Sequence, residues 1–185
     1  KSAVIKAGVF AGGRLQGPVS ETRFLAHLAL GKTPRLQFAF KPRYDGGGAL
    51  GLVDGLRGGR SHTDGRWQGF EGDDLAAVVD LGQERNISAV TIGFLQNVPS
   101  WAFFPRSVEV ALSSDGKAYR ALPAAAGFEA GDSQTAVLLR DVRIDAARAK
   151  ARYIRVTAKS IGLCPEGHAG AGSKAWLFAD EIIVE

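Results

Sequence analysis

Apolar and polar residues alternate in short runs along most of the chain. Leu36, Phe38 and Phe40 alternate with Arg35, Gln37 and Ala39, the period of a half-buried strand. Residues 75–81 are almost wholly apolar, as in a central strand, and Gly82 ends the run. Residues 87–95 place Ile87, Ala89, Thr91, Gly93 and Leu95 on one side and Ser88, Val90, Ile92 and Phe94 on the other. Residues 107–112 alternate again and meet Ser113-Ser114-Asp115-Gly116, a hairpin turn, with 119–121 beginning the return. Residues 124–133 read as a surface loop, and 136–144, 152–158 and 176–184 as further strands. A helix at 145–150 would be too short to change the class. About eight closely spaced strands predict an all-β protein, an eight-stranded jelly-roll β-sandwich.

The N-terminal block is less decided. Residues 1–10 read as a strand, 11–13 as a turn, and 16–30 as a second strand or a short helix. The block has too few apolar residues for a core of its own. It is either an ordinary strand pair or a remnant of a preceding domain, with the break at Gly31-Lys32-Thr33-Pro34.

Charge narrows the function classes. The net charge is +4, but residues 1–45 carry eight Lys/Arg and two acids (+6), leaving fifteen and seventeen (−2) for residues 46–185. The main body is therefore not a nucleic-acid surface. The single Cys, Cys164, excludes an internal disulfide. Met is absent even at position 1, which predicts a piece of a longer protein. No apolar run approaches the ~20 residues of a membrane helix, and no signal peptide is present; an export signal would lie upstream.

The chain carries no HExxH, GxSxG or P-loop motif, and its three His lack zinc spacing. Asp73 and Asp74 are adjacent and would point to opposite faces of a strand, which does not make an acid–base pair. More informative is the Gly-rich stretch 52–72, LVDGLRGGRSHTDGRWQGFEG, with no helix or strand period. Carboxylates among turns suit an oxygen-ligand cation site. Asp54 and Asp64 lie in such turns, and Glu181 sits in an otherwise apolar final strand, where a buried acid needs a partner. One Ca²⁺ held by these three acids and loop carbonyls satisfies them; pairing with Arg57, Arg60 and Arg66 is the alternative.

The order LVDG…DGRW, VVDLG, SSDGKAY, ARYIRV and ADEIIV resembles the discoidin, or coagulation-factor 5/8 type C, domain, from about residue 31 to 185. Its bacterial sugar-binding members form carbohydrate-binding module family 32. DGRWQGFEG and KAWLFADEIIVE resemble the C-terminal module of bacterial family 20 β-N-acetylhexosaminidases, and residues 1–30 look like the last strands of the small chitobiase C-terminal-like sandwich that precedes it. The resemblance implies a structural Ca²⁺ held by Asp54, Asp64, Glu181 and carbonyls of Gly51, Leu56 and Asp180. This chain departs from the common DGNxxTxW form by inserting LRGGRSHTDGR before Trp67, and Asp64 stands where a Thr ligand is usual.

In such modules an aromatic platform on end loops stacks on the sugar and polar groups bind its hydroxyls. The resemblance points to loops 68–73, 96–104 and 162–175. The aromatic candidates are Phe70, Trp101 and Trp176; the polar ones are Gln68, Glu71, Gln96, Asn97, His168 and Lys174. Trp67 is assigned to the core. The expected function is non-catalytic recognition of terminal Gal, GalNAc or GlcNAc, as an accessory domain of a secreted or periplasmic bacterial hydrolase whose catalytic barrel lies elsewhere. The alternative is a structural module that packs on the catalytic domain without binding sugar. Membrane lipid is a weaker fit, because Phe103-Phe104 beside Arg106 makes only a thin apolar spike.

Overall fold

The computed structural model describes residues 2–123 and 135–185. The loop predicted at 124–133 lies outside the described residues. Two strands, β1 (Ala3–Ala11) and β2 (Arg14–Phe24), form a separate antiparallel hairpin, so residues 16–24 are strand rather than helix. Val4, Ile5, Val9, Phe10, Leu15 and Val19 are all exposed on it. The hairpin therefore has no core of its own, as its composition predicts.

The rest is the predicted β-sandwich. It contains β3 (Arg35–Leu36), β4 (Gln68–Glu71), β5 (Leu75–Gln96), β6 (Ser107–Ser113), β7 (Arg120–Ala121), β8 (Leu138–Lys159) and β9 (Trp176–Val184). The seven strands form one hydrogen-bonded array in the order β4-β9-β5-β8-β6-β7, with β3 on β5. β5 and β8 are long enough to serve two layers. The first half of β5 pairs with β3 and with the last part of β8, which also holds β6. Its second half pairs with β9 and with the first part of β8. Leu75, Val79, Ile92, Phe94, Val110, Ile154, Val156 and Ile182 fill the space between.

Three boundaries differ from expectation. The runs at 75–81 and 87–95 are one strand: Gly82, at φ 81°, supports a register irregularity between Asp80 and Arg85 rather than a chain break. The two runs at 136–144 and 152–158 are likewise one strand. The candidate helix 145–150 is a bulge in it, with Ala147 and Arg148 at φ 49° and 58°. Strand pairing on both sides overrides a weak local helix preference there. Residues 37–40 leave the sheet after β3, and only the Gln37 N–H continues the pairing, donating to the Ala76 carbonyl at 2.9 Å. Among the described residues no helix is long and apolar enough to cross a membrane.

Candidate functional site

The predicted loops gather at one end of the sandwich. Loop 97–103 is stitched to the start of β9: the Trp176 N–H donates to the Trp101 carbonyl (2.8 Å) and the Phe103 N–H to the Trp176 carbonyl (3.0 Å). β4 lies alongside, with Glu71 opposite Trp176, and the Gly72 N–H donates to the Ala175 carbonyl at 2.7 Å. Trp101, His168, Lys174, Glu71 and Asn97 therefore share one rim.

Trp101 is the ring this rim presents. It is 37% exposed, and it sits at φ 64°, a region a bulky residue enters only when its surroundings impose it. Its N–H donates to the Val98 carbonyl at 2.8 Å, which fixes the backbone. The indole lies against Gly170, where a Cβ would come within 2.6 Å of the ring. His168 borders it edge-on, with centroids 6.3 Å apart. The His168 Nε2–H donates to the Val98 carbonyl (2.9 Å), so Nδ1 is the acceptor for the Gly170 N–H (3.0 Å). The ring is held by both nitrogens, in one tautomer, as a brace between the two loops.

Four other predicted sugar contacts are corrected. Phe70 is fully buried in the main core. Gln68 is 1% exposed and donates to the carbonyls of Asp45 (3.1 Å) and Gly48 (2.6 Å), so the 45–51 turn is wrapped around it. Gln96 is buried and accepts the Phe104 N–H. Trp176 stacks on Phe178 with centroids 5.7 Å apart, and Tyr44 meets both rings edge-on at 5.0 Å. The alternation rule misleads for β4 because Gln68, Gly69 and Phe70 are all buried. Trp67 is 1% exposed, in the core as expected. Cys164 is buried, which pushes its thiol pKa up and leaves it inert.

The acids separate into two groups. The carboxyl groups of Asp54 and Glu181 are close enough to influence each other electrostatically, and burial raises both pKa values. Glu181 Oε1 accepts from the Gly55 N–H (2.9 Å) and faces His27 Nε2 (2.8 Å); Glu181 Oε2 is buried with no partner among the described residues. Two converging carboxyls and an orphaned oxygen suit a cation there. Gly51 and Leu56 flank the pair in sequence, and the Leu56 N–H donates to Asp54 Oδ1. Asp64 does not join them, which corrects its expected role. Its carboxylate accepts the Gly59 and Arg66 N–H groups (2.6 and 2.9 Å) and shapes its own turn. Among the described residues no three His, Cys, Asp or Glu side chains form a metal cluster.

The ion pair with Arg57 falls to an acid the alternative reading did not name: fully buried Asp180. Its Oδ2 accepts from Arg57 Nε (2.7 Å) and the Gly58 N–H (2.9 Å), although burial still pushes its pKa up. Arg57 reaches across to Asp141 as well. Sequence reasoning missed the fourth residue of this arrangement, Gly93 on β5. A Cβ there would lie 2.2 Å from Asp180 Oδ1 and 2.4 Å from the Arg57 guanidinium. A lone Gly in an apolar strand is the signal that such a close approach leaves.

A two-layer antiparallel sandwich with loops crowded at one end is the architecture of many recognition modules. The F5/8 type C domain family model matches residues 39–176, three quarters of the chain, and the chain belongs to that family. No curated protein matches. Among solved structures, a fucose-binding module from Streptococcus pneumoniae is similar at TM-score 0.54 and 18% identity, covering 86% of this chain and 94% of that one. Chitosan-binding module 1 of a chitosanase/glucanase from Paenibacillus sp. IK-5 gives 0.53 and 15%, covering 87% and 99%. CpGH89CBM32-4 from Clostridium perfringens, in complex with GlcNAc-α-1,4-galactose, gives 0.52 and 13%, covering 86% and 94%.

Proposed function

We propose that the chain is a non-catalytic carbohydrate-binding module that reads terminal Gal, GalNAc or GlcNAc residues through the Trp101 rim. The exposure of Trp101 in an imposed backbone conformation carries this reading. On this reading the ring stacks on the apolar side of a sugar, and Lys174, Glu71 and Asn97 of the same rim bind its hydroxyls. The GlcNAc-α-1,4-galactose bound in the C. perfringens structure and the fucose-binding character named for the S. pneumoniae module support a glycan ligand. Affinity for one sugar is weak, because a small open site gives little contact against the cost of immobilisation.

A structural Ca²⁺ at Asp54 and Glu181, with loop carbonyls completing the shell, belongs to the same reading. The ion would neutralise the paired acids and tie the 52–56 turn to β9. The module serves a secreted or periplasmic hydrolase of the β-N-acetylhexosaminidase kind, with the β1–β2 hairpin as the end of a preceding small sandwich. Titration of the folded chain with a monosaccharide panel in Ca²⁺ tests the binding function. Millimolar-range binding that Trp101→Ala abolishes is expected; the absence of binding to every sugar would overturn it.

A further inference from the structure

The inserted stretch 56–66 builds a second concavity, distinct from the Trp101 rim. It is a pocket of about 170 Å³ lined by Arg43, Tyr44 and Asp45 from one turn, His62, Thr63 and Gly65 from the insert, and Trp67. The insert is held in place from below. Arg57 and the Gly58 N–H anchor it to Asp180, the Trp67 Nε1–H donates to the Gly59 carbonyl at 3.1 Å, and Asp64 closes the turn onto Gly59 and Arg66. Gly58 lies so close to the indole that a Cβ would come within 2.1 Å of it. The pocket walls are therefore preorganised rather than gathered by a ligand.

The lining has two chemical sides. Tyr44 belongs to an aromatic cluster, with His62 at 5.6 Å and Trp176 and Phe178 at 5.0 Å. Arg43 stacks over Tyr44 at 5.2 Å, Asp45 supplies an opposite charge, and exposed Thr63 a hydroxyl. Desolvation and the nearby Arg43 charge lower the His62 pKa, which keeps the imidazole neutral. Its Nδ1 is buried with no hydrogen-bond partner among the described residues, an unfavourable arrangement that a ligand hydroxyl would relieve.

We infer that this pocket, built by the Arg43–Asp45 turn and the His62–Thr63 insert, is a second binding site that takes a single neutral sugar ring. Its volume lies below the ~300 Å³ at which pockets for drug-sized ligands begin, so it suits one ring and no more. Arg43 and Asp45 in the lining carry opposite charges, so a ligand of net charge gains at one and loses at the other. The aromatic side matches the C–H face of a pyranose, and the polar side matches its hydroxyls. The inference rests on the reading of the chain as sugar-binding, but not on Trp101.

The test is a ¹⁵N chemical-shift titration of the whole chain with galactose and N-acetylglucosamine, and with glucuronate and glucosamine as charged comparators. Neutral sugars are expected to move the amides of residues 43–45 and 62–65. Thr63→Phe, which fills the pocket mouth from an exposed position, should weaken that response at least tenfold; Trp101→Ala should leave it within twofold. If Thr63→Phe fails to fold, Asp45→Ala is the variant that should weaken it. Shifts confined to residues 97–103 and 168–174 overturn the second site and leave the Trp101 reading standing. No shift anywhere overturns both. A pocket response that survives the lining variants, or that is larger for the charged sugars, overturns the site or its neutrality.

Discussion

His27 Nε2 lies 2.8 Å from Glu181 Oε1, with both side chains almost wholly buried. The contact spans 154 positions and ties the segment before the sandwich to its last strand. Backbone bonds run beside it: the Leu25 N–H donates to the Gly55 carbonyl, the Leu28 N–H to Val184 and the Gly31 N–H to Val53, each at 2.8 Å. The linker is thus fastened on both sides of Asp54. Removing the imidazole by His27→Ala leaves a buried carboxylate short of a partner and should destabilise the fold by about 1–3 kcal/mol. Urea denaturation measures that loss, and limited proteolysis should show faster cleavage within residues 25–32.

Gly93→Ala should be among the most damaging single substitutions in the sandwich. The new methyl would enter the Arg57–Asp180 pair. Overpacking alone costs about 1–3 kcal/mol, and parting a buried pair about 3–5 kcal/mol. A loss of at least about 3 kcal/mol is expected in equilibrium unfolding. Asp141→Ala, which removes only the exposed partner of Arg57, should cost under about 1 kcal/mol.

The ion reading has its own thermal signature. Ca²⁺ should raise the Tm of the chain and a chelator should lower it, because a ligand of the native state stabilises by mass action. Glu181→Gln should abolish the Ca²⁺ response. Asp64→Asn should keep it, since that carboxylate serves its own turn.

Asp80 and Arg152 form a bidentate pair at 2.8 Å, and this hydrogen bonding holds Asp80 near a pKa of about 2. The folded value lies below the ordinary one, so the pair contributes stability above about pH 4 and loses it as pH falls towards 2. Both side chains are more than a third exposed, and screening limits the contribution to under about 1 kcal/mol. Between pH 5 and 2.5 the urea midpoint of Asp80→Asn should fall less than that of the native sequence.

How much was legible in the sequence follows from how local each signal is. An acid in the apolar run of β9 announced a partner, and Glu181 has them in His27 and the Gly55 N–H. The Pro-flanked Trp101 announced an exposed ring. Phe70, Gln68 and Trp176 were misread because each is an aromatic or amide near a loop: Phe70 enters the main core, Gln68 is wrapped by the 45–51 turn and Trp176 is packed by Tyr44, and those neighbours arrive from elsewhere in the chain. His27 gave no signal at all: a lone His in a linker reveals its partner only once β9 has been laid down. The bends in β5 and β8 were equally hidden, since a Gly or a short Ala-rich stretch reads as a break unless its pairing is known.

β5 and β8 each run through both layers of the sandwich. Disorder in one layer would therefore disturb strands that the other layer also uses, which favours a single cooperative unfolding transition. The loops that carry Trp101 are anchored to β5 and β9, so the recognition surface should be lost in the same transition rather than fade gradually with temperature.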